Sequence, residues 1–257
     1  MDTVQHNGSA AVESGAEHAR RRVRALIRRI AYVTFASGAR VNAWLRHGRN
    51  HPATVRPDRL VWIDPNAVAA KPLEKPVSNV LSKPILVGGN WDEERVAIAD
   101  DPVYEAFYER FVNGKPWEAT GYIDFLATTV SDHGDVSASV ARRRCARLDR
   151  LYDYITSEGY RTQQQLERDG ELIGDLSSSL LPPVYREVAV DVSRDGSWLW
   201  NGGMHRLVIA QLANVERIPV RINVRHRRWQ RIRDDAVTDG LHQSYHDHPD
   251  VACLLSG

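Results

Sequence analysis

The chain has 257 residues, of which 42% are hydrophobic, and its formal net charge at pH 7 is +1. This length and apolar content suffice for one large domain or a core domain with an extension. A charge so close to zero gives no whole-molecule field that demands a nucleic-acid partner. The two cysteines, Cys145 and Cys253, imply no disulfide framework and predict a cytoplasmic location. No apolar run reaches the length of a membrane span, and we identify no signal peptide.

The N-terminal fifty residues are predicted to form a basic extension of the main domain. Residues 1–16 are small and polar, which is typical of a disordered lead. From 17 to 50 the apolar residues recur at helical spacing, with a break expected at Ser37-Gly38. Six arginines from Arg20 to Arg29 occupy the other faces. This pattern indicates contact with an anionic membrane surface or with nucleic acid, or a helix docked on the core with a solvated arginine face.

Residues 59–100 are predicted to supply the first strands of the main domain. Strands are expected at 59–65 and at 84–92, where the second one runs into a glycine loop. The segment between them contains Pro72 and Pro76 and is expected to be extended.

Residues 101–183 are predicted to be a helical insertion into that domain. Asp101-Pro102 is a favourable N-cap and first-turn pair for its first helix. The longest helix is expected from Ser139 to Ser157, and Gly159 should end it. Thr162 is expected to cap a short helix that follows.

Residues 184–257 give the clearest pattern and form the predicted ligand-binding part of the domain. A strand, a tight hairpin turn and a returning strand lead into a helix through two consecutive glycines, and a second strand and a basic helix follow. The expected bounds are strand 186–192, turn 194–197, strand 198–200, helix 203–212, strand 218–224 and a helix from 227.

The glycine turn, which we define as Gly202–Arg206, is the main candidate site. Free backbone N–H groups and the positive dipole end of a helix are suited to a phosphate, and glycine allows close backbone approach. His205 and Arg206 fall in the first helical turn and add two potentially cationic side chains. The alternative is that the glycines only make a tight strand-to-helix turn, with His205 capping the helix or packing on Trp200.

The block from Asp195 to Val224 resembles the ParB/sulfiredoxin superfamily in its hairpin, double glycine, His-Arg pair and following strand. The resemblance is strong over residues 184–235 and weak over 59–90. It implies a small mixed sheet and a turn that holds nucleotide phosphates. The cofactor-binding residues that it and the neighbouring strand end indicate are Asn201, Gly202, Gly203, Met204, His205, Arg206 and Arg225.

Three branches of that superfamily imply three different activities. Sulfiredoxins carry a cysteine where this chain has Met204, a thioether that cannot act as a thiolate nucleophile. Chromosome-partitioning members add a helix-turn-helix domain, for which too few residues follow Arg233, so partitioning is not expected. The free-serine kinases of this fold use a similar histidine-arginine turn to hold a nucleotide, and the match to Gly203, His205 and Arg206 is fair.

A kinase of this kind also needs a carboxylate that accepts the proton of the substrate hydroxyl. Four carboxylates follow the early strands, and the sequence does not choose among Asp64, Glu74, Asp92 and Glu93. Asp92 and Glu93, beside the glycine loop that resembles a block in ParB-like proteins, are retained as catalytic candidates. Mg²⁺ is expected to accompany the nucleotide, and no protein metal site is expected.

The sequence thus predicts an α+β fold: a small mixed ParB/sulfiredoxin-like sheet with a helical insertion and an N-terminal basic helix. It predicts binding of a nucleoside di- or triphosphate (ATP, ADP or CTP) at the glycine turn. One hypothesis is a phosphotransferase or nucleotide hydrolase that acts on a small hydroxylated substrate. The other is a non-catalytic nucleotide-sensing or nucleic-acid-associated module.

Overall fold

The computed structural model describes residues 7–48, 50–53, 56–76, 85–130, 138–171, 181–238, 245 and 247–255. Over these residues the fold is one mixed sheet covered by helices, so the predicted mixed α and β composition is confirmed. The seven strands are β1 (Leu60–Ile63), β2 (Ala70–Pro72), β3 (Leu86–Val87), β4 (Arg95–Ala97), β5 (Val188–Val192), β6 (Trp198–Gly202) and β7 (Ile218–His226).

The sheet has the order β1-β7-β5-β6-β2-β4, and β3 pairs with the C-terminal end of β7. β5 and β6 form an antiparallel hairpin, whereas β7 runs parallel to β5. The register pairs Val192 with both Trp198 and Arg225, and it pairs Ala189 with both Gly202 and Arg221. The sheet therefore has a hairpin end, beside Trp198 and Arg225, and a helix end, beside Gly202.

Eight α-helices occur in the described residues. They are α1 (Asn7–Ala43), α2 (Pro102–Phe111), α3 (Tyr122–Val130), α4 (Ala138–Glu158), α5 (Gln163–Asp169), α6 (Met204–Leu212), α7 (Arg227–Thr238) and α8 (Pro249–Leu255). A π-helical turn, Trp44–Gly48, follows α1 directly.

Helix α6 lies between the sheet and the helices of the 101–171 region. Its Leu207 and Ala210 pack into the core of the sheet, where they meet Val188 and Ile218. Its Met204, Val208 and Ile209 pack into a second core with residues of α2, α3 and α4. A helix that is apolar on both sides is buried on both sides. The glycine turn at its start is therefore held by two cores at once.

Local signals in the sequence are confirmed at several element ends. Asp101 caps α2 by accepting from the Val103 backbone N–H at 2.9 Å. Thr162 and Gln165 form a capping box at α5. Gly159 follows α4 with a φ of +80° and Asn214 follows α6 with a φ of +52°, which are the left-handed conformations typical of helix ends.

The N-terminal prediction is wrong in two respects. Residues 7–16 are helical instead of disordered, and α1 continues through Ser37-Gly38 without a break. Residues 1–6 lie outside the described part of the chain. Contacts on both sides of Ser37-Gly38 hold the helix together, because Phe35 packs edge-on against Tyr185 and Arg40 bonds Asp58. Once nucleated there, a helix extends readily through the alanine-containing N-terminal segment.

Candidate functional site

The glycine turn connects β6 to α6 at the helix end of the sheet. Gly203 is exposed and has a φ of +80°, and a Cβ at this position would lie 3.1 Å from the Cα of Val188. The first intrahelical bond runs from the Leu207 N–H to the Gly203 carbonyl, and no described side chain caps the helix. The N–H groups of residues 204–206 precede that bond and lack intrahelical acceptors. They are the donors that the sequence predicts for a phosphate.

His205 is not placed to carry a positive charge. Its ring stacks on Phe107 with centroids 5.5 Å apart, and its Nε2 lies 3.0 Å from the Tyr122 hydroxyl. Burial, reinforced by the positive charge of Arg144, lowers the pKa of His205 to about 4. These surroundings favour the neutral imidazole, so the geometry does not favour the predicted role of His205 in neutralising phosphate charge. The cause is the aromatic cover that α2 and α3 supply.

Arg206 points into the structure and joins three segments. It pairs with Glu187 at 2.9 Å, donates to the Arg161 carbonyl at 3.1 Å and lies 4.7 Å over the Tyr160 ring. Burial raises the pKa of Glu187, and the guanidinium of Arg206 opposes that rise. With 12% of its side chain exposed, Arg206 is mainly a partner for a buried carboxylate. Its predicted role as a phosphate contact is not the one that this geometry favours.

Two lysines stand at the helix end, where no lysine was predicted. Lys75 donates to the Asn201 carbonyl at 2.7 Å and lies 4.4 Å over the Trp200 ring. Lys71 pairs with Asp101 at 2.5 Å and lies 6.0 Å from the same ring. Burial and the charge of Lys71 lower the pKa of Lys75, although the nearby Asp191 opposes them. The chain has only four lysines, and two of them, Lys71 and Lys75, are only four residues apart. This clustering is a signal that the sequence contained.

Asn201 is fixed from behind by a buried carboxylate. Its Nδ2 donates to Asp191 at 2.8 Å, and the other oxygen of Asp191 accepts from the Val224 N–H at 3.0 Å. Burial raises the pKa of Asp191 to about 6, against the opposing hydrogen bonds. Met204 is buried among the helices instead of facing a ligand. Asn201 and Met204 thus hold the backbone of the glycine turn from two sides.

The catalytic candidates Asp92 and Glu93 lie at the opposite end of the sheet. Asp92 is fully buried and accepts from the backbone and guanidinium of Arg194, in the hairpin turn, at 2.7–3.0 Å. Burial would raise the pKa of Asp92, but the bonds from Arg194 outweigh it and lower that pKa. Glu93 is exposed and pairs with the same arginine. Neither carboxylate can reach a phosphate at Gly203, because the length of β6 separates the two ends.

Arg225 also belongs to the hairpin end, about 10 Å along the strands from Gly202. It is buried and makes a bidentate pair with Asp250, with bonds of 2.6 and 2.8 Å. Asp250 also accepts from Trp229 at 2.9 Å and pairs with Arg233 at 3.2 Å. The prediction that Arg225 adds charge beside the glycine turn is therefore wrong. A buried carboxylate holds it in place.

Asp64 and Glu74, the other two carboxylates considered as catalytic bases, lie in different surroundings. Asp64 caps a short 3-10 helix by accepting from the Asn66 N–H at 2.8 Å. Glu74 is exposed in the segment between β2 and Lys75. Since β2 runs parallel to β6 and pairs Ala70 with Leu199, this segment continues toward the helix end. Asp64 follows β1, whose Ile63 pairs with Ile218, so it lies at the same end of the sheet but three strands away from β6. Glu74 follows the strand that pairs directly with β6, and it is the nearer candidate to the glycine turn.

Comparison with protein-family models, curated proteins and solved structures finds no match to this chain. Within the described residues, no group of three or more His, Cys, Asp or Glu side chains is arranged to hold a metal ion. Among those same residues, no helix combines the length and apolar character that crossing a membrane requires.

Proposed function

We propose that this chain binds a nucleoside di- or triphosphate, with ATP, ADP and CTP as candidates, through phosphate groups at the N terminus of α6. One observation carries the proposal: exposed Gly203 opens α6 without a side-chain cap, and the ammonium of Lys75 bonds the Asn201 carbonyl two residues before it, at 2.7 Å. A helix N terminus offers aligned donors and a partial positive charge to an anion. Lys75 adds a point charge close to this turn.

The path of the chain around the turn supports assignment of this region to a ParB/sulfiredoxin-like domain. Hairpin, β6, glycine turn, α6 and β7 follow one another in the order of the resemblance, with β7 parallel to β5. In that assignment the backbone of Gly203–Arg206 holds phosphate oxygens. The side chains of His205 and Arg206 stabilise the turn from within.

Nucleotide binding without turnover is the form of the proposal that the placement of the carboxylates favours, because Asp92 and Glu93 lie at the other end of the sheet. A phosphotransferase or hydrolase would need a base at the helix end, and Glu74 is the candidate for that role. Mg²⁺ would accompany the nucleotide, held mainly by its phosphate oxygens, and would offset charge on the transferred group.

Calorimetric titration with ATP, ADP, CTP and GTP in the presence of Mg²⁺ tests the binding site. We expect Lys75→Gln to weaken binding about tenfold, which corresponds to about 1.4 kcal/mol. Arg231→Gln, which removes an exposed cation on α7, is the matched control and should leave affinity unchanged. Absence of binding by the unaltered chain would refute the proposal. Equal affinities of the Lys75→Gln variant and the unaltered chain would refute the assigned location.

A turnover assay with a panel of small hydroxylated compounds then separates the enzyme from the sensor. If the chain is catalytic, Glu74→Gln should lower the rate at least a hundredfold while nucleotide affinity stays within about twofold. Asp92→Asn, if the folded fraction is preserved, should leave the rate unchanged. Binding by the unaltered chain without turnover of any compound in the panel would favour the sensor.

A further inference from the structure

The long helix α1 is docked with its apolar side outward. Polar and aromatic residues make its contacts with the body: Arg28 and Tyr32 bond Glu167 at 3.0 Å, and Phe35 packs on Tyr185. The side that faces away carries an apolar stripe in which each side chain is more than half exposed. We define this stripe as Val23, Leu26, Ile27, Ile30, Val33, Val41, Trp44 and Leu45.

This arrangement is the reverse of an ordinary surface helix, which buries its apolar stripe and exposes its polar side. The stripe has two parts. Val23 to Val33 recur on one face of α1 at helical spacing, and Val41, Trp44 and Leu45 form a second part at its C-terminal end and in the π-helical turn; the exposed residues Thr34, Ser37 and Gly38 lie between the two parts. Soluble monomers rarely expose apolar patches of this extent, and those that do use them to bind a partner. The stripe therefore needs an apolar partner.

Helix α1, which carries the stripe, is rich in arginine. Helix α1 contains seven arginines and two glutamates, whereas the whole chain has a net charge of only +1. Six of these arginines lie between positions 20 and 29, the same stretch of sequence that contains Val23, Leu26 and Ile27. Exposed Arg29 falls along one border of the stripe by helical spacing. A partner that covers the stripe must therefore accept apolar side chains and also the cations that flank them.

We propose that the apolar stripe of α1 lies on an anionic lipid bilayer, parallel to the membrane plane. Lipid acyl chains would receive the apolar residues, and anionic head groups would pair with the bordering arginines. Trp44, near the C-terminal end of the stripe, is suited to the interface between head groups and acyl chains. The helix would lie on the membrane without crossing it.

Charge argues against the two other occupants. A second copy of the chain would bring one arginine border against another, and like charges across an interface disfavour association. Nucleic acid would satisfy the arginines through its phosphates but leave the apolar stripe in water. An anionic bilayer satisfies both components, so the observations favour it.

Flotation of the full-length chain with lipid vesicles tests the proposal. We expect binding to vesicles of 70% phosphatidylcholine and 30% phosphatidylglycerol to be at least tenfold tighter than to pure phosphatidylcholine, and to weaken as salt is raised. The double substitution Leu26→Glu with Ile30→Glu should weaken binding at least tenfold. Because both side chains are exposed, the variant should keep the thermal unfolding midpoint of the unaltered chain.

Val237→Glu is the control, since it places one glutamate on an exposed apolar residue of α7 and should leave vesicle binding unchanged. Three results would overturn the proposal. The first is equal vesicle binding by the Leu26→Glu, Ile30→Glu variant and the unaltered chain. The second is a lipid-free dimer, seen by light scattering, that this variant abolishes while the unaltered chain fails to float. The third is salt-sensitive binding to duplex DNA without any binding to vesicles.

Discussion

The two ends of the central sheet contain similar kinds of charged residue and use them differently. At the hairpin end, Asp250 and Asp92 are fully buried, and arginines hold the oxygens of both carboxylates. At the helix end, Gly203 is exposed, and the backbone donors after it precede the first helical hydrogen bond. Lys75 bonds the Asn201 carbonyl two residues before Gly203 and lies over the ring of Trp200.

This difference shows how buried charge and binding capacity can be told apart. Taking a charge out of water is costly unless a partner compensates it, so buried ionic groups pair with one another and are no longer available to a ligand. Backbone N–H groups at a helix start that lack intrahelical acceptors are not paired in this way. The residues that the sequence assigned to catalysis and to charge neutralisation fall mostly into the first class. The backbone of the glycine turn falls into the second.

The largest effect is expected at the hairpin end, from Asp250→Asn. Burial would raise the pKa of Asp250, but Arg225 and Arg233 outweigh it and hold that pKa at about 2. Removing the negative charge leaves two buried guanidinium groups facing each other, which should cost about 3–5 kcal/mol of unfolding free energy. Urea denaturation measures this loss. The exposed neighbour Asp247→Asn should cost no more than about 0.5 kcal/mol, and equal losses in the two variants would contradict the comparison.

The second prediction concerns acid stability at the helix end. The pKa of His205 in the fold, about 4, is below its ordinary value of 6.5, so folding favours the neutral ring. This contribution is complete above pH 6.5 and is lost as the pH falls toward 4. By linkage it amounts to about 2–3 kcal/mol between pH 7 and pH 4.5.

Urea denaturation at pH 7 and at pH 4.5 checks this prediction by comparing the unaltered chain with His205→Gln. The variant lacks the titrating ring and should lose less stability over this range by that amount. Burial also lowers the pKa of His47 and His248, but both groups are present in both proteins and cancel in the difference. If both proteins lose the same stability, His205 is not the buried neutral group described.

A smaller effect is expected from Gly203→Ala, which tests why glycine stands in the turn. The left-handed φ of +80° costs an alanine about 1–2 kcal/mol, and its Cβ would also crowd the Val188 Cα at 3.1 Å. Gly114→Ala is the matched control, because its φ is +69° but its Cβ would meet no atom within 4 Å. We expect losses of about 2 and about 1 kcal/mol in thermal or urea unfolding. Equal losses would mean that the contact with Val188 adds nothing.

Much of the fold near the glycine turn could be predicted from local signals. The hairpin turn, the double glycine, the helix start and the left-handed Asn214 all depend on neighbouring residues, and the structure confirms each of them. The surroundings of His205 and Arg206 could not be predicted in the same way. Their partners Phe107, Tyr122 and Glu187 lie on segments that are distant in sequence, so no local pattern could reveal that both side chains are covered.

Helix α1 shows the same division. The sequence showed its helical periodicity and its arginines, and these indicated either docking on the core or contact with an anionic surface. The structure shows that docking uses Arg28, Tyr32 and Phe35, so the apolar stripe faces outward. The sequence could not decide which face contacts the body, because both faces contain residues able to pack.

The sequence by itself predicted the order of the strands and helices from β5 to α7, placed the ends of β5, β6, α6 and β7 to within two residues, and predicted where a glycine turn opens a helix. These features follow from steric preferences and hydrogen bonding over a few residues. The tertiary structure alone decided which charges stay available. Asp92 and Arg225 are buried at the hairpin end, and burial against aromatic rings favours the uncharged form of His205. Lys75 comes to lie close to the turn. Burial and pairing depend on which distant segments meet, and this is the physical reason why charge at a site cannot be inferred from the residues of the site alone.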